Sequence, residues 1–191
     1  MEVNQTSIIA SFSMSLEKSQ KLQTEEYHLF SDGACRGNPG PGAYAAIGEI
    51  FKEGNVEGQV QSLFTKVGFD QNTTNNRMEL LGAIWALKEM LDFIEKNKIN
   101  HDKIVIKLFS DSKYVVDGIT KWIVNWVKRG WKKADGGKPE NIDLWKELFE
   151  LKLKFKDFSE LEFIWVKGHS GHQQNEICDQ LCNELLDEKG H

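Results

Sequence analysis

Tyr27-His-Leu-Phe-Ser-Asp32 runs into Gly33-Ala-Cys-Arg-Gly-Asn-Pro-Gly-Pro-Gly42 and then into Ala43-Tyr-Ala-Ala-Ile-Gly-Glu-Ile-Phe51, and the reading of this stretch decides the fold. The first six residues alternate, the part dense in Gly and Pro is a turn signal, and the third part resumes an extended pattern, which predicts two antiparallel strands. A second turn at Glu53-Gly-Asn-Val-Glu-Gly58 leads into Gln59 to Phe69, a third strand. Leu80, Ile84, Leu87, Leu91 and Ile94 then recur at spacings of four and three, with Lys88, Glu89, Asp92 and Glu95 between them. That periodicity predicts an amphipathic helix opening near Thr74 to Asn76. Ile104 to Phe109 is nearly all apolar, as in a central strand covered on both faces; Leu161 to Val166 reads similarly. Helices are expected near Lys113 to Ile119, Lys121 to Val127 and Asn141 to Leu153, and from about Asn175 to Leu186. The order β-β-β-α-β-α-α-α-β-α places the chain in the α/β class, with one mixed sheet carrying helices and no internal repeat or second domain.

A chain of 191 residues with 40% apolar and 28% charged residues suits one globular domain and excludes collagen, coiled coil and a wholly disordered chain. No run of about 18 apolar residues exists to span a membrane. Residues 1–25 hold eleven Asn, Gln, Ser and Thr residues and no Gly, Pro or Trp, so a disordered tail is expected there and a folded domain over 26–191. The tail has neither the basic start nor the apolar core of a signal peptide, and the three cysteines suggest reduced thiols, so a cytoplasmic protein is expected. A net charge of −5 argues against indiscriminate nucleic-acid binding, but the charge is uneven. Lys121 to Lys138 holds six basic residues and one acid, a window of +5 that leaves −10 elsewhere. Such a window is either a local polyanion contact or a solvated basic loop.

Four acids stand in unusual places. Asp32 and Asp111 directly follow Leu29-Phe30-Ser31 and Leu108-Phe109-Ser110, so each is expected at the end of its strand, where ligands gather in open α/β sheets. Glu79 is expected in the first turn of the long helix beside Leu80, and Asp179 flanks a stripe of Cys178, Leu181, Cys182 and Leu185. Four converging carboxylates would repel one another, and divalent cations are the ordinary means of keeping them ionised together. Taken singly, each acid is equally at home as a helix-end charge or a turn cap. A rival metal pattern also exists. His169-x-x-His172 with Cys178-x-x-x-Cys182 supplies the ligand types of a zinc site, although Cys182 shares its apolar stripe with Leu181 and Leu185, where a free Cys acts as a small core residue.

Ser31-Asp-Gly-Ala-Cys-Arg-Gly-Asn-Pro-Gly-Pro-Gly42, Thr73-Thr-Asn-Asn-Arg-Met-Glu-Leu80, Ser110-Asp-Ser-Lys-Tyr-Val115 and Val166-Lys-Gly-His-Ser-Gly-His-Gln-Gln-Asn-Glu-Ile-Cys-Asp-Gln-Leu181 resemble the type 1 ribonuclease H family in order and spacing. The likeness runs from Tyr27 to about Leu186. It implies a ribonuclease H-like α/β fold, a five-stranded mixed sheet in the order 3-2-1-4-5 flanked by helices. It also implies endonucleolytic hydrolysis of the RNA strand of RNA/DNA hybrids with two Mg²⁺ ions, Mn²⁺ being an alternative, to give 5′-phosphate and 3′-hydroxyl ends. By the resemblance, Asp32, Glu79, Asp111 and Asp179 are the metal-binding and catalytic acids. Asp32 would bridge both ions, Asp179 would complete the site that activates water, and Glu79 with Asp111 would hold the ion on the leaving-group side. His169 would move protons to or from the site.

The basic window interleaves aromatics, as Lys121-Trp-Ile-Val-Asn-Trp126 and Lys128-Arg-Gly-Trp-Lys-Lys133. Trp122 and Trp126 share a helix face and can simply pack it, whereas exposed Trp with Lys and Arg suits a nucleic-acid backbone. The segment resembles the family's basic protrusion, which implies that Trp122, Trp126, Lys128, Arg129, Trp131, Lys132 and Lys133 meet the DNA strand. Thr74 and Asn75 resemble the family's pocket for a DNA phosphate, and Asn38, Asn76 and Lys113 fall where it contacts RNA. Lys113 replaces a usual Gln and Ile177 a common Arg, which puts the fine contacts to substrate in question. The partner implied is a hybrid duplex, with no membrane, and a monomer is expected. A non-catalytic hybrid-binding module and another nuclease or integrase on the same sheet are the rival readings.

Overall fold

The structure, a computed structural model, describes residues 25–51, 60–99, 104–156 and 159–191. The expected tail lies outside the described residues except for Glu25, which already begins the first strand, and the turn expected at Glu53 to Gly58 lies outside them too. Strands β1 (Glu25–Cys35), β2 (Gly40–Phe51) and β3 (Gln61–Thr73) form an antiparallel meander. Helix α1 (Asn75–Asn97) follows, then β4 (Ile104–Ser110), α2 (Lys113–Asp117), a π-helical turn (Gly118–Trp122), α3 (Ile123–Lys128), α4 (Ile142–Lys156), β5 (Glu160–Trp165) and α5 (Gln173–Glu188). The sheet order is β3-β2-β1-β4-β5, with β4 and β5 parallel to β1. This is the mixed sheet that the order of elements implied.

Alternation decides which side of the sheet each residue serves. On one side, Tyr27 and Leu29 of β1 and Ile104, Ile106 and Leu108 of β4 meet Leu80, Ile84, Leu87, Met90 and Ile94 of α1 and Leu148, Leu151 and Phe155 of α4. On the other, Phe30 of β1 and Ala43, Ala45 and Ile47 of β2 meet Cys178, Cys182 and Leu186 of α5. Both of these α5 cysteines are fully buried, and burial raises their thiol pKa values. His169 and His172 are exposed, so the zinc grouping is not assembled: its thiols serve the core while its imidazoles face outward.

Three element boundaries correct the sequence reading. Strand β1 does not end at Asp32. It runs on to Cys35, because Ala34 and Cys35 continue to pair with Ala43 and Gly42 of β2 after β1 has parted from β4 at the Phe30–Phe109 pair. Glu79 sits in the second turn of α1, not the first, because the helix opens at Asn75. The helical stretch after Asp111 is one winding path with a π-helical turn in it. That wider turn keeps Ile119 and Ile123 on the buried side, and the half-buried Lys152 ammonium donates to the Ile119 carbonyl at 3.3 Å.

Candidate functional site

The parting of β1 from β4 creates the site. Asp32 is the second residue past the last β1–β4 pair, and Asp111 follows Ser110, the last residue of β4. Both carboxylates therefore emerge where the parallel β1–β4 pairing ends, and backbone hydrogen bonding between these two strands no longer fills the gap. Glu79 arrives from α1 by close backbone contact. A Cβ on Gly33 would lie 2.3 Å from the Glu79 nitrogen, and one on Gly82 would lie 2.9 Å from the Asp32 oxygen, so two glycines let helix and strand touch. Carboxylate oxygens of Asp32, Glu79 and Asp111 lie within 4.8 Å of one another.

Two of these acids are buried, with Asp32 and Glu79 each 7% exposed. Burial, then the charges of Asp111 and Asp179, push the Asp32 carboxyl up to about 7, against the opposing pull of the Gly33 N–H that donates to Oδ1 at 2.8 Å. Burial and the charges of Asp32 and Asp111 raise Glu79 well above the ordinary carboxylate range. Asn75 Nδ2 donates to Glu79 Oε1 at 3.4 Å and the Gly33 N–H also pulls the carboxyl down, whereas Oε2 is buried and, among the described residues, has no hydrogen-bond partner. A buried carboxylate oxygen short of donors, in a cluster that penalises its own ionisation, fits a candidate divalent-cation site. All the donors are hard carboxylate oxygens, which suit Mg²⁺ or Mn²⁺.

Asp179 lies close enough for its charge to act on Asp32 but stands outside the tight trio, and its Oδ1 accepts from Asn183 Nδ2 at 3.0 Å. His169 is exposed in the loop between β5 and α5, at φ 51. That loop crosses Asp111 so closely that a Cβ on Gly168 would meet Asp111 Oδ2 at 2.5 Å.

The residues singled out for nucleic-acid contact divide into two groups. At the N-terminus of α1, Thr74 caps through its main chain, Asn76 is exposed, and the Asn75 N–H donates to Asn38 Oδ1 at 3.3 Å. This brings the β1–β2 turn against the helix start. In the basic segment, Lys128, Arg129 and Lys132 are exposed, Lys133 pairs with Asp135 at 3.6 Å, and Trp122 remains 37% exposed. Trp126 packs edge-on against Trp145 at 5.6 Å, and Trp131 against Phe149 at 6.0 Å, so these two mainly tie the segment to α4. Lys113 reaches across β5, its ammonium 4.7 Å over the Trp165 ring.

Sequence reasoning missed several participants. Trp165 is 43% exposed and donates its indole N–H to the Asp111 carbonyl at 2.9 Å. Asn175 is 3% exposed and donates Nδ2 to Asp111 Oδ2 at 3.3 Å; its position four residues before Asp179, hence on the same helix face, was the available signal. Arg77 holds Asp143 at 2.9 Å and Asn141 Oδ1 at 3.3 Å, and Asn141 in turn donates to the Tyr114 hydroxyl at 3.1 Å. That chain of contacts fastens the start of α1 to the start of α4.

Known proteins agree with this arrangement. The family model for RNase H matches residues 24–186. The ribonuclease H of Erythrobacter litoralis is 41% identical over 163 residues, which are 85% of this chain and 97% of that protein. The crystal structure of LC9-RNase H1, a type 1 RNase H with the type 2 active-site motif, superposes with a TM-score of 0.67 at 30% identity, covering 86% of this chain and 74% of that one. LC11-RNase H1, solved in complex with RNA/DNA hybrid, is alike in fold, with a TM-score of 0.60 at 22% identity over 86% of this chain and 99% of the other. A sheet in this order, three acids gathered where β1 leaves β4, and a relative matched across nearly its whole length lead to one assignment: the chain belongs to the type 1 RNase H family.

Proposed function

We propose that the protein is a metal-dependent endonuclease that hydrolyses the RNA strand of RNA/DNA hybrids, leaving 5′-phosphate and 3′-hydroxyl ends. The observation that carries this reading is the trio Asp32, Glu79 and Asp111, whose carboxylate oxygens lie within 4.8 Å in a chain of this family. A phosphodiester repels hydroxide through its own charge and has a poor alkoxide leaving group. Two bound divalent cations would supply the acidity that activates the water and the charge that stabilises the departing 3′ oxygen. The protein's part would be to hold them, through the clustered carboxylates of Asp32, Glu79 and Asp111 and through Asp179, whose charge reaches Asp32. One Asp32 oxygen accepts from the Gly33 N–H at 2.8 Å, which steadies the carboxylate in the cluster. No side-chain nucleophile is needed.

His169, exposed on a loop with φ 51, would exchange protons between the site and solvent, a role suited to imidazole near neutral pH. His169→Ala is expected to lower turnover by about 10²-fold, the usual loss when acid–base help is removed, and to leave hybrid binding in place. Rates matching the parent enzyme from pH 6 to pH 9 would make it a turn residue only.

Exposed Lys128, Arg129 and Lys132, with Lys133, give the segment between α3 and α4 the charge to grip a phosphate backbone. Neutralising all four is expected to weaken hybrid binding and to flatten its salt dependence, because each lost phosphate contact releases about one fewer counterion. An unchanged slope of log affinity against log salt would mean that these charges face only water.

The function is tested by cleavage of labelled RNA/DNA, RNA/RNA, DNA/DNA and single-stranded RNA in Mg²⁺. Cutting is expected in the RNA of RNA/DNA at many sequences, since backbone and minor-groove contacts carry little sequence information. Equal cutting of RNA/RNA would overturn the assignment, and so would efficient cleavage at a single ribonucleotide embedded in DNA.

A further inference from the structure

We propose that Asn175 is a positioning residue for the acidic site: its side-chain amide aims the Asp111 carboxylate at the point shared with Asp32 and Glu79. The inference rests on the reading of that trio as a divalent-cation site.

Asp111 is the member of the trio that the sheet controls least. It lies one residue beyond β4, so no ladder bond restrains it, and it is more exposed than the other two. A carboxylate left free to rotate would swing away from two like charges. Its main chain is held by the Trp165 indole, which donates to the Asp111 carbonyl, and Gly168 walls off the space beside Oδ2. Neither contact gives the carboxylate a donor. Among the described residues, the hydrogen bond that reaches the Asp111 carboxylate comes from Asn175 Nδ2, at 3.3 Å on Oδ2.

The surroundings of Asn175 suit that task and no simpler one. The residue is 3% exposed, yet its Oδ1 is buried with no hydrogen-bond partner among the described residues. An unpaired buried carbonyl costs about 1–3 kcal/mol, a cost an apolar side chain in the same place would avoid. The amide is therefore poor packing material and earns its place only through its donor. It also does not cap the helix, since α5 opens two residues earlier at Gln173 and the Glu176 N–H is taken by the His172 carbonyl. Asp179 lies one helical turn further along the same face. The first two turns of α5 thus deliver a donor to Asp111 and a carboxylate beside Asp32, and the seating of α5 on the sheet sets both.

Asn175→Ala and Asn175→Ser test this, the serine hydroxyl being too short to span the gap to Asp111. Three quantities are read on each folded variant: Mg²⁺ binding to the free protein by titration calorimetry, the Mg²⁺ concentration for half-maximal hybrid cleavage, and hybrid affinity in EDTA. Loss of a partner that orients a metal ligand typically weakens metal binding by about 10- to 100-fold. Both variants are expected to lose Mg²⁺ affinity on that scale and to need correspondingly more Mg²⁺ for turnover, with hybrid affinity in EDTA unchanged. A variant with the parent's Mg²⁺ isotherm, or one that loses hybrid affinity while its Mg²⁺ requirement stays put, would reduce Asn175 to a packing residue of α5. A parent protein that takes up no Mg²⁺ would instead remove the cation reading on which the inference stands.

Discussion

Asp32→Asn is expected to reduce hybrid cleavage by about 10³-fold or more, corresponding to several kcal/mol of transition-state stabilisation at about 1.4 kcal/mol per factor of ten. Hybrid binding is expected to persist or to tighten. Of the trio, Asp32 is the acid whose charge acts on Glu79 most strongly, so the amide removes a ligand of the cluster and a negative charge beside the incoming phosphate. Single-turnover cleavage and filter binding on one preparation separate the two effects. Turnover near the parent's in a folded variant would sink the assignment of these acids.

The metal-free protein is expected to lose stability as pH rises, which is the reverse of ordinary acid denaturation. Burial and the neighbouring charges lift Asp32 from 3.8 to about 7 and raise Glu79 well above 4.5. Groups that hold their protons more tightly when folded make the native state bind more protons than the unfolded chain. Stability is therefore greatest below the unfolded carboxylate range, near pH 4, and declines until the folded groups have ionised, near pH 7 for Asp32. A shift of about three units at about 1.4 kcal/mol each sets a ceiling near 4 kcal/mol for Asp32. At roughly 2–4 °C per kcal/mol, its contribution to Tm in EDTA is a fall on the order of 10 °C between pH 5 and pH 8. Mg²⁺ should largely cancel that fall, and Asp32→Asn should do so without metal, giving a variant more stable than the parent at pH 8. Thermal unfolding of parent and variant at four pH values, in EDTA and in Mg²⁺, checks both statements. A Tm difference between the two proteins that does not vary with pH would remove the electrostatic account.

What could be read in advance followed the physics of each element. The meander, the long helix and the two parallel strands were legible because Tyr27 to Asp32 alternates and meets a Gly- and Pro-rich turn, Leu80 to Ile94 repeats at helical spacing, and Ile104 to Phe109 is apolar but for Lys107. Asp32, Glu79 and Asp111 were legible as acids adjoining apolar residues. The true end of β1 was not, because Gly33-Ala-Cys35 has the composition of a turn, and only pairing with β2 makes it strand. Asn175 was hidden in the polar run Gln173-Gln-Asn-Glu176, where nothing local separates a buried amide from three more exposed neighbours. Contacts between distant segments, such as Arg77 with Asp143, leave no periodic trace at all. For the aromatics, the sequence could not apportion packing and recognition, and the fold divides them: Trp126 and Trp131 rest on α4, while Trp122 stays partly open to solvent.

The contact of Gly33 with the Glu79 backbone means that the spacing of Asp32 from Glu79 is set from main chain to main chain. Side-chain packing elsewhere along α1 does not enter that spacing. Residues such as Leu87, Met90 and Ile94 can be exchanged for others of similar bulk, and any slack falls at the far end of the helix, away from the acids. The molecule thereby separates tolerance from accuracy along a single rod. Its distal half tolerates core side chains of similar bulk, and its proximal half fixes the main-chain distance from which Asp32 and Glu79 extend.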